Sequence, residues 1–497
     1  MPTTANLRSL LVARARRHGL IGVGLAVVQA DEPPEFECIG VADPSTKRAI
    51  EPSTVFRIAS ISKTMTAIGI MQLRDEGRLD LDDPVNRHLE TFTVDPPAGG
   101  PDVTIRHLLT HTSGIGEVPR IGDLGRREVW GDGRPRVEPA DLASIYRGAL
   151  HTDVAAGSKW AYANHAFAVL GQVVEDLTGE PFARHMHQHL FAPLGMEHTG
   201  YVRNDAIEAT LATGSHWMFG RFGTVKDYDL SLLGPGSVLS SLSDMARYAE
   251  WLVRTGAPAP GVLAADTLQE MMSPQFSVHP GFPGMGLAFW LDHLGPHRTA
   301  GHDGNVPGFA SALLTAPDDG VGVIVLTNTA SFFGAHVLAT ELLSELLGVR
   351  ESSSVGALDV PERPELWPGL VGNYAPARGF LTNLRTWQML GGEVSVVVRR
   401  RRLVLRSLAL LPMLRRGVAL QAVDRDDPYR FVAEAEGLRV PVAFDVDSRG
   451  TASRVIIGPP SNTVFHRRPT WRTRRLRSRV YATGLGVLAA RRLLRHR

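Results

Sequence analysis

The hydrophobic pattern changes once along the chain, from a mixed helix-and-strand pattern to an all-strand pattern. In the first part, short apolar runs at residues 22–28, 310–315 and 321–327 are typical of strands. Residues 64–74 are rich in helix formers and contain no proline, which predicts a helix. The first part therefore predicts a domain in which helices and strands alternate.

The second part begins after a segment rich in serine and proline, residues 350–368, which we interpret as a linker. Beyond it, short apolar runs separated by turns predict strands at 394–398, 403–405, 418–423, 429–432 and 440–446. We therefore predict four segments. They are a catalytic domain (1–349), the linker (350–368), a β-rich domain (369–468) and a basic tail (469–497).

Composition narrows the class of protein. The chain has 497 residues, of which 43% are hydrophobic and 21% charged, as in ordinary soluble globular proteins. A single cysteine, Cys38, excludes an internal disulfide framework. The N-terminal segment does not have the pattern of a signal peptide, because arginines interrupt its apolar residues. No apolar stretch is long enough to cross a bilayer as a helix. We therefore expect a cytoplasmic protein.

The net charge of +2 is unevenly distributed. Eleven arginines and no acidic residue lie between Arg467 and Arg497, which leaves +2 − 11 = −9 for the rest of the chain. Apolar residues among these arginines suit a helix on an anionic membrane surface, and a disordered or self-packed basic tail fits equally well. Four further arginines at 399–402 predict a hairpin tip. No stacking aromatic residues accompany them, so we expect no nucleic-acid partner.

The first candidate for chemistry is Ser60-Ile61-Ser62-Lys63. Residues three apart share one face of a helix, so Ser60 and Lys63 would point into one site. A serine hydroxyl needs a neighbour to take its proton, and a buried lysine can do so because burial disfavours its charged form. Ser60 would also lie at a helix N-terminus, which favours a developing oxyanion.

The second candidate is Tyr162-Ala163-Asn164, at the start of a predicted helix. A tyrosine beside a lysine is pushed toward phenolate and can act as a general base, and the Asn164 amide can both donate and accept hydrogen bonds. We interpret His111, at a turn, as a structural residue. The histidines of 185–189 resemble half of a zinc motif, but Gln188 stands in place of its aspartate. We therefore expect neither a metal nor another cofactor.

The third candidate is His302-Asp303-Gly304-Asn305, just before two predicted strands. Glycine at 304 lets the backbone come close to a ligand. His302 could polarise a substrate or pass a proton, and the Asn305 N–H could supply a second donor to an oxyanion. A glycine-rich hairpin with a structural histidine would show the same pattern.

These three stretches, in this order, resemble the motifs of the serine β-lactamase and penicillin-binding-protein superfamily. The similar branch contains class C β-lactamases, D-alanyl-D-alanine carboxypeptidases, D-aminopeptidases and esterases, and the resemblance covers about residues 7–347. It implies an α/β (α+β) fold, an antiparallel sheet flanked by helices with an all-helical subdomain. The β-rich region resembles the small lipocalin-like domain that often follows it.

The resemblance also implies a mechanism. Ser60 would attack an ester or amide carbonyl while Lys63 and Tyr162 move its proton. The N–H groups of Ser60 and Asn305 would hold the oxyanion, and Asn164 would orient the substrate.

One residue departs from the motifs of the superfamily. His302 stands where β-lactamases carry a lysine that attracts a carboxylate, and it would supply only a partial charge near neutral pH. The departure favours an esterase acting on a small molecule. The alternatives are a D-amino-acid peptidase or carboxypeptidase, a weak β-lactamase, and a non-catalytic binding homologue.

Overall fold

The computed structural model describes residues 4–127, 129, 138–218, 221–254, 261–349, 360–407, 412–435 and 438–469. These residues form two compact units. The first comprises Met1–Ala357 together with Gly379–Leu384, and the second comprises Leu358–Arg378 together with Arg385–Arg497.

The first unit mixes helices and strands, as the sequence predicts. Its helices are α1 (Thr4–Arg17), α2 (Ser62–Asp75), α3 (Ile105–Leu109), α4 (Leu142–Tyr146), α5 (Asn164–Thr178), α6 (Phe182–Met186), α7 (Asp205–Thr210), α8 (Leu233–Gly236), α9 (Leu242–Val253), α10 (Ala265–Met271) and α11 (Gly334–Leu346). Its strands are β1 (Val23–Gln29), β2 (Glu32–Ile39), β3 (Val41–Asp43), β4 (Arg48–Ala49), β5 (Val55–Arg57), β6 (Thr93–Asp95), β7 (Ala149–His151), β8 (Ser215–Met218), β9 (Arg221–Thr224), β10 (Leu239–Ser241), β11 (Trp290–Leu294), β12 (His297–Val306), β13 (Phe309–Ala316) and β14 (Val321–Thr327).

A six-stranded antiparallel sheet, in the order β11-β12-β13-β14-β1-β2, forms the centre of this unit. All seven residues of β14 are buried, and they alternate between two apolar cores. Ile324 and Leu326 belong to the core that contains α9, whereas Val323 and Val325 pack with residues of α1 and α11. The sheet is therefore covered by helices on both faces, as the resemblance implies.

The edge of the sheet is open at one place that matters for the site. Strand β11 pairs with β12 only from His297 to Gly301, while β13 pairs with β12 as far as Val306. Within the described residues, positions 302–306 therefore have a strand partner on one side only. On this stretch, the face of β12 that carries Gly304 lies against the turn that holds Ser60.

The helical part of the unit is organised around α2 and α5. Twelve of the fourteen residues of α2 are buried, and its apolar side chains share one core with those of α5. Helix α5 ends at Gly179, which adopts a left-handed conformation that glycine accepts without strain. The helix predicted at residues 64–74 is thus present, and it begins at Ser62, two residues before the predicted start.

The second unit is a closed antiparallel barrel of eight strands. They are β15 (Gly372–Pro376), β16 (Val394–Arg399), β17 (Arg402–Ser407), β18 (Val418–Ala422), β19 (Arg430–Ala435), β20 (Leu438–Val446), β21 (Ala452–Ile457) and β22 (Thr463–Arg468), and the helices are α12 (Trp367–Leu370), α13 (Leu384–Leu390) and α14 (Pro412–Arg416). Strand β15 pairs with both β16 and β22, which closes the barrel. All five predicted β-runs of this region are strands.

The division differs from the sequence-based boundaries at two places. The linker was predicted to extend to residue 368, but Trp367 is buried in the barrel core because α12 folds onto it. Residues Gly379–Leu384 group with the first unit, where the Leu381 carbonyl accepts a hydrogen bond from the Glu117 N–H at 3.2 Å. Most of the predicted basic tail, from residue 470 onward, lies outside the described residues. None of the described helices is long and apolar enough to span a bilayer.

Candidate active site

Ser60 lies in a tight turn between β5 and α2. A 3₁₀ turn, Ala59–Ile61, carries the serine and leads directly into α2. Ala59 has φ +49°, a left-handed conformation that costs an alanine about 1–2 kcal/mol. The Ser62 hydroxyl stabilises the turn by donating to the Ala59 carbonyl at 2.6 Å. The turn leaves Ser60 partly exposed while its neighbours Ala59 and Ile61 are buried.

Lys63 is completely buried, and its ammonium nitrogen has three close oxygen partners. Nζ lies 3.1 Å from Ser60 Oγ, 2.9 Å from Asn164 Oδ1 and 2.6 Å from the Pro235 carbonyl oxygen. The amide and main-chain oxygens can only accept hydrogen bonds. A neutral Lys63 would therefore use its two N–H groups on them and direct its lone pair at the Ser60 hydroxyl.

Tyr162 and Asn164, the residues of the second motif, both contact Lys63. Lys63 Nζ lies 4.8 Å from the centre of the Tyr162 ring, an arrangement in which a ring face stabilises a cation. Asn164 begins α5, and its Oδ1 is occupied by Lys63. Its amide N–H₂ is thereby the group that could donate to a bound substrate.

His111 holds the main chain on both sides of Tyr162. The His111 carbonyl accepts a hydrogen bond from the Ala161 N–H at 2.8 Å, and His111 Nδ1 accepts one from the Ala163 N–H at 3.2 Å. Its ring lies against the Tyr162 ring, with 4.2 Å between centroids. The interpretation of His111 as a structural residue is consistent with these contacts, which serve the candidate site.

The third motif lies on the open edge of β12, and its side chains alternate between two faces. Gly304 faces the Ser60 turn so closely that a Cβ there would lie 2.1 Å from the Ile58 carbonyl oxygen. Asp303 and Asn305 point to the other face, where Asp303 contacts His336 at 3.0 Å and Asn305 Nδ2 donates to the Phe332 carbonyl. The Asn305 side chain is thus directed away from Ser60, and only its backbone N–H could serve as an oxyanion donor.

His302 lies on the same face as Gly304 and is buried beside Tyr162 and Trp290, with ring centroids 6.4 and 6.1 Å away. Its Nδ1 donates to the Asp303 carbonyl at 2.7 Å, because a carbonyl can only accept. Burial, reinforced by the nearby Lys63 charge, lowers the pKa of His302 to about 4. The ring is therefore neutral near pH 7 and Nε2 carries a lone pair, which is consistent with the expectation that His302 supplies at most a partial charge.

The structure adds site residues that the sequence did not reveal. The Pro235 carbonyl contacts Lys63, and no side-chain motif marks this position in the sequence. Trp160 and Trp290, with centroids 5.6 Å apart, extend the aromatic wall beside Tyr162 and His302. An aromatic residue next to the Tyr-x-Asn motif was the only signal for Trp160, and nothing in the sequence singled out Trp290.

The histidines of the apparent half zinc motif do not form a metal site in the part of the chain that the structure describes. His185 is buried and stacks on His189 with 4.4 Å between centroids. No group of three or more histidine, cysteine or acidic side chains among the described residues is arranged to hold a metal ion.

Curated relatives match much of the chain. The chain is 32% identical to penicillin-binding protein 4 of Amycolatopsis lactamdurans over 67% of its own length and 87% of that protein. It is 35% identical to the esterase EstB of Burkholderia gladioli over 40% of its length and 51% of EstB. It is 29% identical to the putative penicillin-binding protein PbpX of Bacillus subtilis, over 43% of its length and half of PbpX.

Solved structures share the fold. The octameric penicillin-binding protein homologue from Pyrococcus abyssi has a TM-score of 0.62 at 20% identity, covering 93% of this chain and all of that one. A β-lactamase/D-alanine carboxypeptidase from Yersinia pestis has a TM-score of 0.58 at 21% identity, covering 70% of this chain and all of that one. The profile of the Beta-lactamase family matches residues 7–347. The chain therefore belongs to the beta-lactamase family.

Proposed function

We propose that this protein is a serine hydrolase that forms an acyl-enzyme on Ser60 and acts on small carboxylic esters. The observation that carries the proposal is the contact of Ser60 Oγ with the buried Lys63 Nζ at 3.1 Å. The Asn164 and Pro235 oxygens can only accept hydrogen bonds, so Lys63 can take the serine proton through its lone pair when it is in its neutral form.

The reaction then proceeds in two halves. Ser60 Oγ bonds to the ester carbonyl carbon as its proton moves to Lys63, and the N–H groups of Ser60 and Asn305 stabilise the oxyanion. The carbon–oxygen bond to the alcohol breaks, and the alcohol leaves with that proton, with Tyr162 assisting its transfer. Water attacks the acyl-enzyme in the second half, which releases the acid and restores Ser60.

The third motif favours esters over substrates with a free carboxylate. His302 is neutral above a pKa of about 4, so it offers no positive charge to a β-lactam or to a peptide C-terminus. The similarity to EstB, which is named an esterase, agrees with this choice. The similarity to penicillin-binding protein 4 favours the second candidate, a penicillin-reactive D-amino-acid peptidase or carboxypeptidase.

The proposal is tested by measuring hydrolysis of p-nitrophenyl butyrate and nitrocefin side by side. We expect ester turnover to dominate and to fall about a thousandfold or more in Ser60→Ala. Lys63→Met should lose about 100-fold to 10,000-fold, whereas Lys226→Met, which removes an exposed lysine, should retain wild-type turnover. Dominant nitrocefin turnover would favour the second candidate. Activity unchanged in Ser60→Ala would refute the proposal.

A further inference from the structure

Six exposed arginines lie together at one end of the β16–β17 hairpin. Arg399, Arg400, Arg401 and Arg402 form the tip of the hairpin, and Arg415 and Arg416 end the neighbouring helix α14. We refer to these six residues as the arginine face. All of them belong to the barrel unit, and none is near the candidate active site in sequence.

The helix is tied to the hairpin by hydrogen bonds from arginine side chains. The Arg399 guanidinium donates to the Arg416 carbonyl at 2.9 Å, and Arg406 Nε donates to the Arg415 carbonyl at 3.0 Å. Carbonyls at the end of a helix carry partial negative charge, so the guanidinium groups are well placed there. The two parts of the arginine face are therefore held side by side.

Two arginines occupy positions of the hairpin turn whose backbone conformation disfavours them. Arg400 and Arg401 have φ +49° and +59°, the left-handed pair of a two-residue hairpin turn. Such turns prefer Asn-Gly because side chains other than those of Gly, Asn and Asp are disfavoured in this conformation. The chain places charge where backbone geometry favours other residues, which points to a role for the charge outside folding.

The charge of the arginine face is largely uncompensated. No ion pair formed by the described residues includes Arg399, Arg400, Arg401, Arg402 or Arg416. Glu362 is an exposed carboxylate whose charge interacts with Arg402. Burial raises the pKa of Glu362, and Arg402 acts in the opposite direction. The five arginines without an ion pair among the described residues give this surface a strong positive field.

Apolar groups lie directly beside the charge. Arg401 lines a shallow cleft together with Pro364, Pro368, Val371 and Val398. Val398 is 48% exposed although it is a strand residue of the barrel. The surface thus combines a cationic rim with aliphatic and proline side chains, the combination found where proteins rest on a bilayer.

We propose that the arginine face and its apolar cleft bind the surface of an anionic phospholipid bilayer. Guanidinium groups would contact lipid phosphates, and Val398 with the prolines would enter the headgroup region. A nucleic-acid partner fits less well because Trp367, the aromatic residue among the described residues that line the cleft, is buried and cannot stack on bases. The proposal does not depend on the hydrolase activity.

The test uses the full-length protein and co-sedimentation with vesicles at low salt. The vesicles contain either 30% phosphatidylglycerol in phosphatidylcholine or phosphatidylcholine alone. The decisive variant is Arg400→Asn with Arg401→Gly, which removes two charges and installs the preferred turn sequence, so that the barrel should fold at least as well. The control, Arg184→Gln with Arg449→Gln, removes two exposed arginines elsewhere.

We expect the wild type and the control to bind the anionic vesicles, and the hairpin variant to bind about 30-fold more weakly, about fivefold for each arginine. Residues 470–497 are present in all three proteins, so the difference reports on the hairpin. Equal binding of the hairpin variant and the control, or no binding by the wild type, would overturn the proposal. Binding to an RNA or DNA duplex that the hairpin variant loses, without vesicle binding, would assign the face to nucleic acid instead.

Discussion

The imidazole of His111 lies against the phenol ring of Tyr162 while its Nδ1 accepts the N–H of the residue that follows the tyrosine. His111 has φ +58° and no exposed surface, so its backbone and side chain are both fixed. Because the His111 carbonyl also binds the Ala161 N–H, one residue sets the position of the tyrosine from three directions. His111 is therefore a positioning residue for Tyr162.

Replacing His111 with asparagine should separate two contributions, the hydrogen bond to the Ala163 N–H and the ring contact with Tyr162. Asparagine tolerates a positive φ and can offer an oxygen to the Ala163 N–H, but it has no ring to place under Tyr162. We expect His111→Asn to remain folded and to lower kcat about 10-fold to 100-fold with little change in KM, because a small displacement of a catalytic group is costly. Steady-state kinetics with p-nitrophenyl butyrate provide the measurement. A wild-type kcat in His111→Asn would show that the ring contact does not position Tyr162.

Gly304 is required by the close approach of β12 to the Ser60 turn. A Cβ at this position would lie 2.1 Å from the Ile58 carbonyl oxygen and 2.2 Å from Ser311 Oγ, so the strand would have to move. We expect Gly304→Ala to lower the free energy of unfolding by about 1–3 kcal/mol and ester turnover by more than the loss of folded protein explains. Urea denaturation and turnover per folded molecule would measure both effects.

The matched control for Gly304 is Gly122→Ala. A Cβ at Gly122 meets no atom within 4 Å, and the backbone there does not have a positive φ. This variant should keep wild-type stability and turnover. If Gly304→Ala behaved in the same way, the strand would not be held against the Ser60 turn.

Two buried histidines, His165 and His302, should make the protein less stable as the pH falls. Burial is the main cause that lowers the pKa of both His165 and His302 to about 4, below the value of about 6.5 in an unfolded chain. Between these values the unfolded state binds more protons than the folded state, so the free energy of unfolding decreases from pH 7 to pH 4. Each histidine should contribute a loss of about 2 kcal/mol between pH 7 and pH 5. The pKa of His336 is raised by Asp303, which acts in the opposite direction.

Urea titrations at pH 7 and pH 5 would test this prediction with His302→Gln as the comparison. The variant lacks one titrating group, so its free energy of unfolding should change less between the two pH values than that of the wild type. An equal change in both proteins would mean that His302 is not held neutral by the fold.

Many of the helices and strands could be predicted from local sequence patterns. Strand β14 has the bounds predicted from its apolar run, 321–327, because a strand buried on both faces needs an unbroken apolar sequence. Five of the eight barrel strands were predicted from their apolar runs, whereas β15, β21 and β22 were not, and the closing pair of β15 with β22 joins residues far apart in the chain. No local pattern encodes such a pairing.

The motifs named most residues of the candidate site, but they did not give the hydrogen-bond partners of Lys63 or the burial that determines the charge of His302. Ser60, Lys63, Tyr162, Asn164 and His302 could be named from motifs. One partner of Lys63 is the main-chain carbonyl of Pro235, which has no signature in side-chain types. The neutrality of His302 depends on burial beside rings from distant segments, which only the fold supplies.

Covalent labelling of the nucleophile would show whether Ser60 carries the reaction. The protein would be incubated with a fluorophosphonate, which reacts with activated serines, and the labelled peptide identified by mass spectrometry. We expect one adduct, on Ser60, that is absent in Ser60→Ala and forms more slowly in Lys63→Met. An adduct on another serine, or equal labelling of Ser60→Ala, would contradict it.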